Sequence, residues 1–132
     1  MTYSELNPTE NLSSAPDKLN GNFRKRSFLN VAAKSADFTV WTDDTAGVPK
    51  DVYLVTTAAS TITVTLPTVA SGDALNGRAV TIMKVDSGAG SVSIDADGSE
   101  EINGATTKSL SSQYDFATIV SDGVAWYIVG NN

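Results

Sequence analysis

Three groups of side chains carry whatever chemistry this chain can do. They are the carboxylates of "DADGSEE" (95–101), the cationic triplet Arg24-Lys25-Arg26, and the aromatic residues Trp41, Tyr53, Trp126 and Tyr127. Paired carboxylates can flank a glycosidic bond, and a D-x-D-G turn is part of a Ca²⁺ loop. This loop lacks the third acidic position and the spaced bidentate Glu, so a hairpin turn rich in solvated carboxylates is the stronger reading. Neighbours in a strand point to opposite faces, so Asp43-Asp44 and Glu100-Glu101 are poorly placed to flank one bond. Asp95 and Asp97 could share a face, but a single small β-domain leaves little room for a cleft around them.

The chain has no His and no Cys. It therefore lacks the commonest general base and metal ligand, every Ser-His or Cys-His arrangement, thiolate metal sites and disulfides. The expectation is no enzyme, no cofactor and no metal site. The aromatic residues read as core or interface in a β-domain, with a sugar-stacking platform beside Asn- and Thr-rich loops as the other use.

The triplet lies in "DKLNGNFRKRSFLN" (17–30), beside Leu19, Phe23 and Phe28. Residues 1–35 hold five Lys/Arg against three Asp/Glu, and residues 36–132 hold four against twelve, so +2 and −8 give the net −6. An acidic body is repelled by phosphate backbones, which argues against nucleic acid as the main partner. Arg24, Lys25 and Arg26 then read as a solvated flank, or as a docking patch for an acidic surface with Leu19, Phe23 and Phe28 as apolar anchors. No stretch approaches the ~18 apolar residues of a membrane span. The opening "MTYSELNPTENL" has acids where a secretory signal has bases, so no secretion is expected.

The elements that must position these residues are mostly strands. At 132 residues, with 41% hydrophobic and 18% charged, the chain suits one folded domain with an extension. Residues 1–35 read as an N-terminal attachment arm, extended around Pro8 and Pro16, with a short helix from Pro16 that puts Leu19 and Phe23 on one side. Gly21 costs that helix ~1 kcal/mol, leaving it marginal until it packs on something. Residues 36–132 read as the β-domain, and fifteen Thr and fifteen Ser fit strands with polar turns. The predicted fold is all-β, a compact antiparallel β-sandwich or short barrel. Strands are expected at 37–41, 51–57, 60–67, 78–85 and 91–96, and the clearest alternates Ile62, Val64 and Leu66 with Thr61, Thr63 and Thr65.

"YDFATIVSDGVAWYIVG" (114–130) reads as a hairpin with a two-residue Asp122-Gly123 turn. That register sets Ile119 opposite Trp126 and Ala117 opposite Ile128 on one face, with Val120–Ala125, Thr118–Tyr127 and Phe116–Val129 on the other. Both faces are apolar. Either loops or a second sheet cover the far side, or one face packs within the subunit and the other, through Phe116, Val120, Tyr127 and Val129, against copies of the chain.

Residues 53–130 resemble a small β-domain of tailed-bacteriophage fibre, spike and head-fibre proteins. The cues are "Y-L-V-T", "T-V-T-L-P", "G-x-x-V-T-I-x-K", "I-D-A-D-G-x-E-x-I-N-G" and a closing "V-S-D-G-x-x-W-Y-I". "L-N-G-N-F" (19–23) is similar to the "L-N-x-N-F" element near the start of many phage fibre and adaptor proteins. The resemblance implies a structural virion protein assembled in the host cytoplasm. It would be a homotrimer held on a capsid or neck/tail protein by its arm, with the β-domain projecting. With no shaft, collagen-like repeat or long coiled coil, a head decoration or head fibre fits better than a full tail fibre. The alternative is a carbohydrate-binding adhesin, or a tail-fibre/adaptor component contacting host-surface glycans.

Overall fold

Ile62, Val64 and Leu66 are buried while Thr63 and Thr65 stand half-exposed beside them, as their alternation predicts. The same rule runs through the described strands. A computed structural model describes residues 29–42, 49–70, 72–75 and 77–132. These form β1 (Val31–Lys34), β2 (Phe38–Thr39), β3 (Val52–Val55), β4 (Ile62–Thr65), a helical turn α1 (Gly72–Leu75), β5 (Val80–Lys84), β6 (Val92–Asp95), β7 (Thr107–Leu110), β8 (Phe116–Ser121) and β9 (Trp126–Asn131). One sheet has five strands in the order β1-β3-β5-β8-β9, and the other has four in the order β2-β4-β6-β7.

The protein is all-β and sandwich-like, as expected, but its pairing is mixed rather than antiparallel. From β1 to β6 the chain alternates between the sheets, so strands two apart in sequence lie side by side and run the same way. Four pairings (β1–β3, β2–β4, β3–β5 and β4–β6) are parallel. The result is three successive turns of a flattened coil. Antiparallel β7, β8 and β9 then close its last turn. The coil repeats with little residue identity: Val52 pairs with Thr81, 29 residues on, and Ile62 with Val92, 30 on.

β1 lies within the stretch that the sequence assigns to the arm. Its four residues pair with β3, and the Asn30 amide donates to Asp51 at 2.8 Å, so the β-domain begins before residue 36. Residues 1–28 of the predicted arm lie outside the described residues, and with them most of its short helix.

Inward side chains of both sheets form one core, with Tyr53, Val55, Ile82, Ile119 and Trp126 from the wider sheet meeting Phe38, Val64, Val92, Ile94 and Leu110 from the narrower. Where the chain crosses between sheets, successive turns of the coil stack backbone on backbone. The Gly90 amide donates to Ala58 O at 2.9 Å. A Cβ on Gly88 would overlap Ala58 O, and one on Gly90 would overlap Ser60 O. Only glycine fits where backbones approach so closely.

The stack is pinned by an ion pair. Lys84 faces inward and is fully buried, its ammonium donating to Asp86 Oδ1 at 3.0 Å and to the carbonyls of Asp86 and Gly88. Asp86 reaches back to the previous turn, accepting from the amides of Thr57 and Ala58 and from the Thr57 hydroxyl, and also takes the Gly88 amide. The Thr57 amide above all, helped by Lys84 and the amides of Ala58 and Gly88, holds this carboxyl far below its ordinary value of 3.8 against the opposing effect of desolvation.

Candidate functional site

The outer face of the five-stranded sheet follows from the pairings. Val31 lies beside Val52 and Ala33 beside Leu54; Val52 and Leu54 lie beside Thr81 and Met83; and these lie beside Thr118 and Phe116. Val120 pairs with Tyr127 at the far edge. No Asp, Glu, Lys or Arg occupies any of these positions. Val31 is 50% exposed, Tyr127 43% and Val129 63%, and the apolar residues between them are half-buried. Five strands ~4.8 Å apart, four to six residues long, make a face of roughly 24 by 17 Å. Uncharged apolar patches of that size mark interaction sites on soluble proteins.

The four residues that the sequence assigns to an interface, Phe116, Val120, Tyr127 and Val129, therefore share this face. Their partners differ from those expected. The predicted two-residue turn is a four-residue loop, 122–125. The Asp122 carboxylate accepts from the amides of Val124 (2.9 Å) and Ala125 (3.0 Å), which lowers its pKa, and Ser121 Oγ accepts from Gly123. These bonds stabilise the longer loop. The register moves by two: Ile119 pairs with Ile128, Val120 with Tyr127 and Ser121 with Trp126. A shift of two keeps every side chain on its expected face. A bulge at Thr118/Ile119 then makes Val129 the extra residue and pairs Thr118 with Gly130. Phe116 packs across from Met83, not Val129.

The sequence reading missed the rest of this face: Val31, Val52, Leu54 and Met83. Their signal was alternation within "VYLV" and "VTIM", where every residue is apolar or a threonine stem. Strands apolar on both sides read as buried unless the neighbouring strands are known.

The outer face of the four-stranded sheet is its opposite. Thr39, Thr65, Asp95 and Thr107 form one row across the strands, and Thr63, Ser93 and Ser109 the next. Ser93 donates to Asp95 at 2.9 Å, and Asp37 accepts from the Thr63 amide at 2.8 Å. A shallow open depression of about 320 Å³ lies over Asp37, Phe38, Thr39, Thr63 and Thr65.

The other reactive groups are spent on the fold. Glu100 accepts from Thr68 Oγ1 at 2.6 Å and from the Val69 amide, so it staples a loop. Asp97 and Glu101 are exposed on either side of it. Among the described residues no three His, Cys, Asp or Glu side chains converge on a point that could hold a metal ion. Trp41, Tyr53, Trp126 and Tyr127 do not make a common platform. Tyr53 and Trp126 are buried in the core, and Trp41 is tied down by its indole N–H to Lys50 O (2.8 Å) and its amide to the Tyr53 hydroxyl (2.9 Å). Of these four, Tyr127 lies on the outer apolar face. Leu19, Phe23, Arg24, Lys25, Arg26 and Phe28 lie outside the described residues.

No protein-family model matches the chain, and a search of curated proteins finds none similar to it.

Proposed function

We propose that this protein is a non-enzymatic structural component of a bacteriophage virion, a head decoration or head fibre. Its β-domain associates with copies of itself, as a homotrimer, and its N-terminal arm docks on a capsid or neck/tail protein. The observation that carries the reading is the charge-free apolar outer face of the five-stranded sheet. Residues 36–132 hold twelve Asp/Glu and four Lys/Arg, and among the described residues none of these occupies a strand position on that face. Two such faces meet without like-charge repulsion and bury Val, Leu, Met, Phe and Tyr surface at ~25 cal/mol per Å². The "L-N-G-N-F" and β-domain motifs supply the virion part of the reading. The arm joins the particle through Leu19, Phe23 and Phe28, with Arg24, Lys25 and Arg26 matching an acidic surface. Three copies multiply three modest contacts through effective concentration.

The test has two arms. Light scattering on the full chain is expected to give a mass near three times 13.8 kDa, and a mass of one copy at all concentrations would remove the support for self-assembly. Removing residues 1–28, upstream of β1, should leave the β-domain folded and assembled but absent from particles. Normal incorporation of the truncated chain would show that the arm is not the anchor.

One observation favours a second reading, a carbohydrate-binding adhesin or tail-fibre/adaptor component. The four-stranded sheet presents hydroxyls and the Asp37 carboxylate around an open depression, groups that bind sugar hydroxyls. Glycan-array binding that disappears in Asp37→Ala and Thr65→Ala would support it.

A further inference from the structure

Within the apolar face two side chains are polar, and they touch. Thr81 and Thr118 are directly paired on β5 and β8, and their hydroxyl oxygens lie 2.8 Å apart. Each hydroxyl carries one hydrogen, and the contact uses one of the two. The second hydrogen has no acceptor among the described residues. Both residues are half-buried, near the middle of the face, with Val52, Met83, Phe116 and Val120 around them.

Beside Thr118 the next strand carries Gly130. No described residue would clash with a side chain there. The Gly130 φ lies outside the left-handed region, and an added Cβ would sit 3.8 Å from Thr118 Cβ and 3.9 Å from its hydroxyl, an ordinary contact. This contrasts with Gly88 and Gly90, which the fold cannot replace. A glycine inside a strand weakens it and marks a bulge or a place where another backbone comes close; Gly130 directly follows the bulged Val129, and its missing side chain leaves the outer face open there.

We propose that Thr81, Thr118 and Gly130 form the notch at which a second copy of this chain makes its closest approach. The missing side chain admits the copy's backbone, and the spare threonine hydrogen donates to an oxygen of that copy. A lone polar pair in an apolar contact sets alignment: every misaligned docking buries a hydroxyl donor without an acceptor, whereas apolar side chains tolerate sliding. This inference rests on the self-assembly reading above and adds where the copies meet and what aligns them.

The test is the dissociation constant of full-chain self-association, measured by sedimentation, for Gly130→Ala and Thr118→Val. Each is expected to weaken association roughly ten-fold or more, while the melting temperature of the dissociated chain stays level or rises. Tyr127→Asp with Val129→Asp serves as the control for the face itself. If that control separates the copies but Gly130→Ala and Thr118→Val associate like the parent, the notch is overturned and the self-assembly reading stands. If the control leaves the mass unchanged, the face is not the interface and both fall. A lower melting temperature for the dissociated Gly130→Ala chain would assign that glycine to the fold instead and overturn its place in the notch.

Discussion

Where the five-stranded sheet presents Val, Leu, Met, Phe and Tyr to its surroundings, the four-stranded sheet presents Thr, Ser and Asp at equivalent outward positions. Their inward faces are alike, both lined by Val, Ile and large apolar residues. Folding therefore demands only that the inner halves match. The outer halves are free to diverge. A hydroxyl surface is content in water, whereas an apolar one of the same extent gains from being covered.

The largest predicted effect breaks this difference directly. Tyr127→Asp with Val129→Asp should weaken association roughly a hundred-fold or more, because it sets like charges against each other in an apolar contact. The matched pair Thr63→Asp with Thr65→Asp should leave the assembled mass unchanged, and light scattering on the two variants makes the comparison.

Next come residues that support both faces at once by holding the coil together. Lys84→Met should cost about 3 kcal/mol in urea unfolding, since it orphans the carbonyls of Asp86 and Gly88 and breaks a buried pair. Gly90→Ala should cost about 2 kcal/mol by forcing the stacked turns apart.

A pH titration sharpens the picture further. The Asp86 carboxyl is depressed on folding, so its contribution is fully present above the unfolded value of 3.8 and is lost as pH falls below that value toward the folded one. Asp122 acts in the same direction. Asp86→Asn should flatten the acid limb of the stability curve measured by thermal unfolding. The smallest effect belongs to the hydroxyl surface: Thr65→Val should change stability by less than about 0.5 kcal/mol.

Much of the architecture was readable from alternation. The strands around Phe38, Tyr53, Val64, Ile82 and Ile94 fall where apolar and polar residues take turns, and Phe116, Val120, Tyr127 and Val129 share a face because the side-chain period is two. What alternation does not encode is which strand lies beside which. "VYLVTTAASTITVTL" and "TIMKVDSGAGSVSIDA" are successive turns of one coil but share pattern rather than residues, so their parallel stacking was missed. β1 ("VAAK") and β7 ("TKSL") are too short and too mixed to stand out. The hairpin register slipped because Asp-Gly favours a two-residue turn locally, while the Asp122 carboxylate stabilises a longer one. The apolar surface was thus half legible: its β8 and β9 portion from one hairpin, its β1, β3 and β5 portion only once the neighbours were known.

The coil also has a direction. Its final turn is sealed by strands that reverse course, whereas among the described residues the turn bearing β1 and β2 is joined to a neighbour on one side only. A further winding added at that end would extend both sheets by one parallel strand each and leave the closing strands undisturbed.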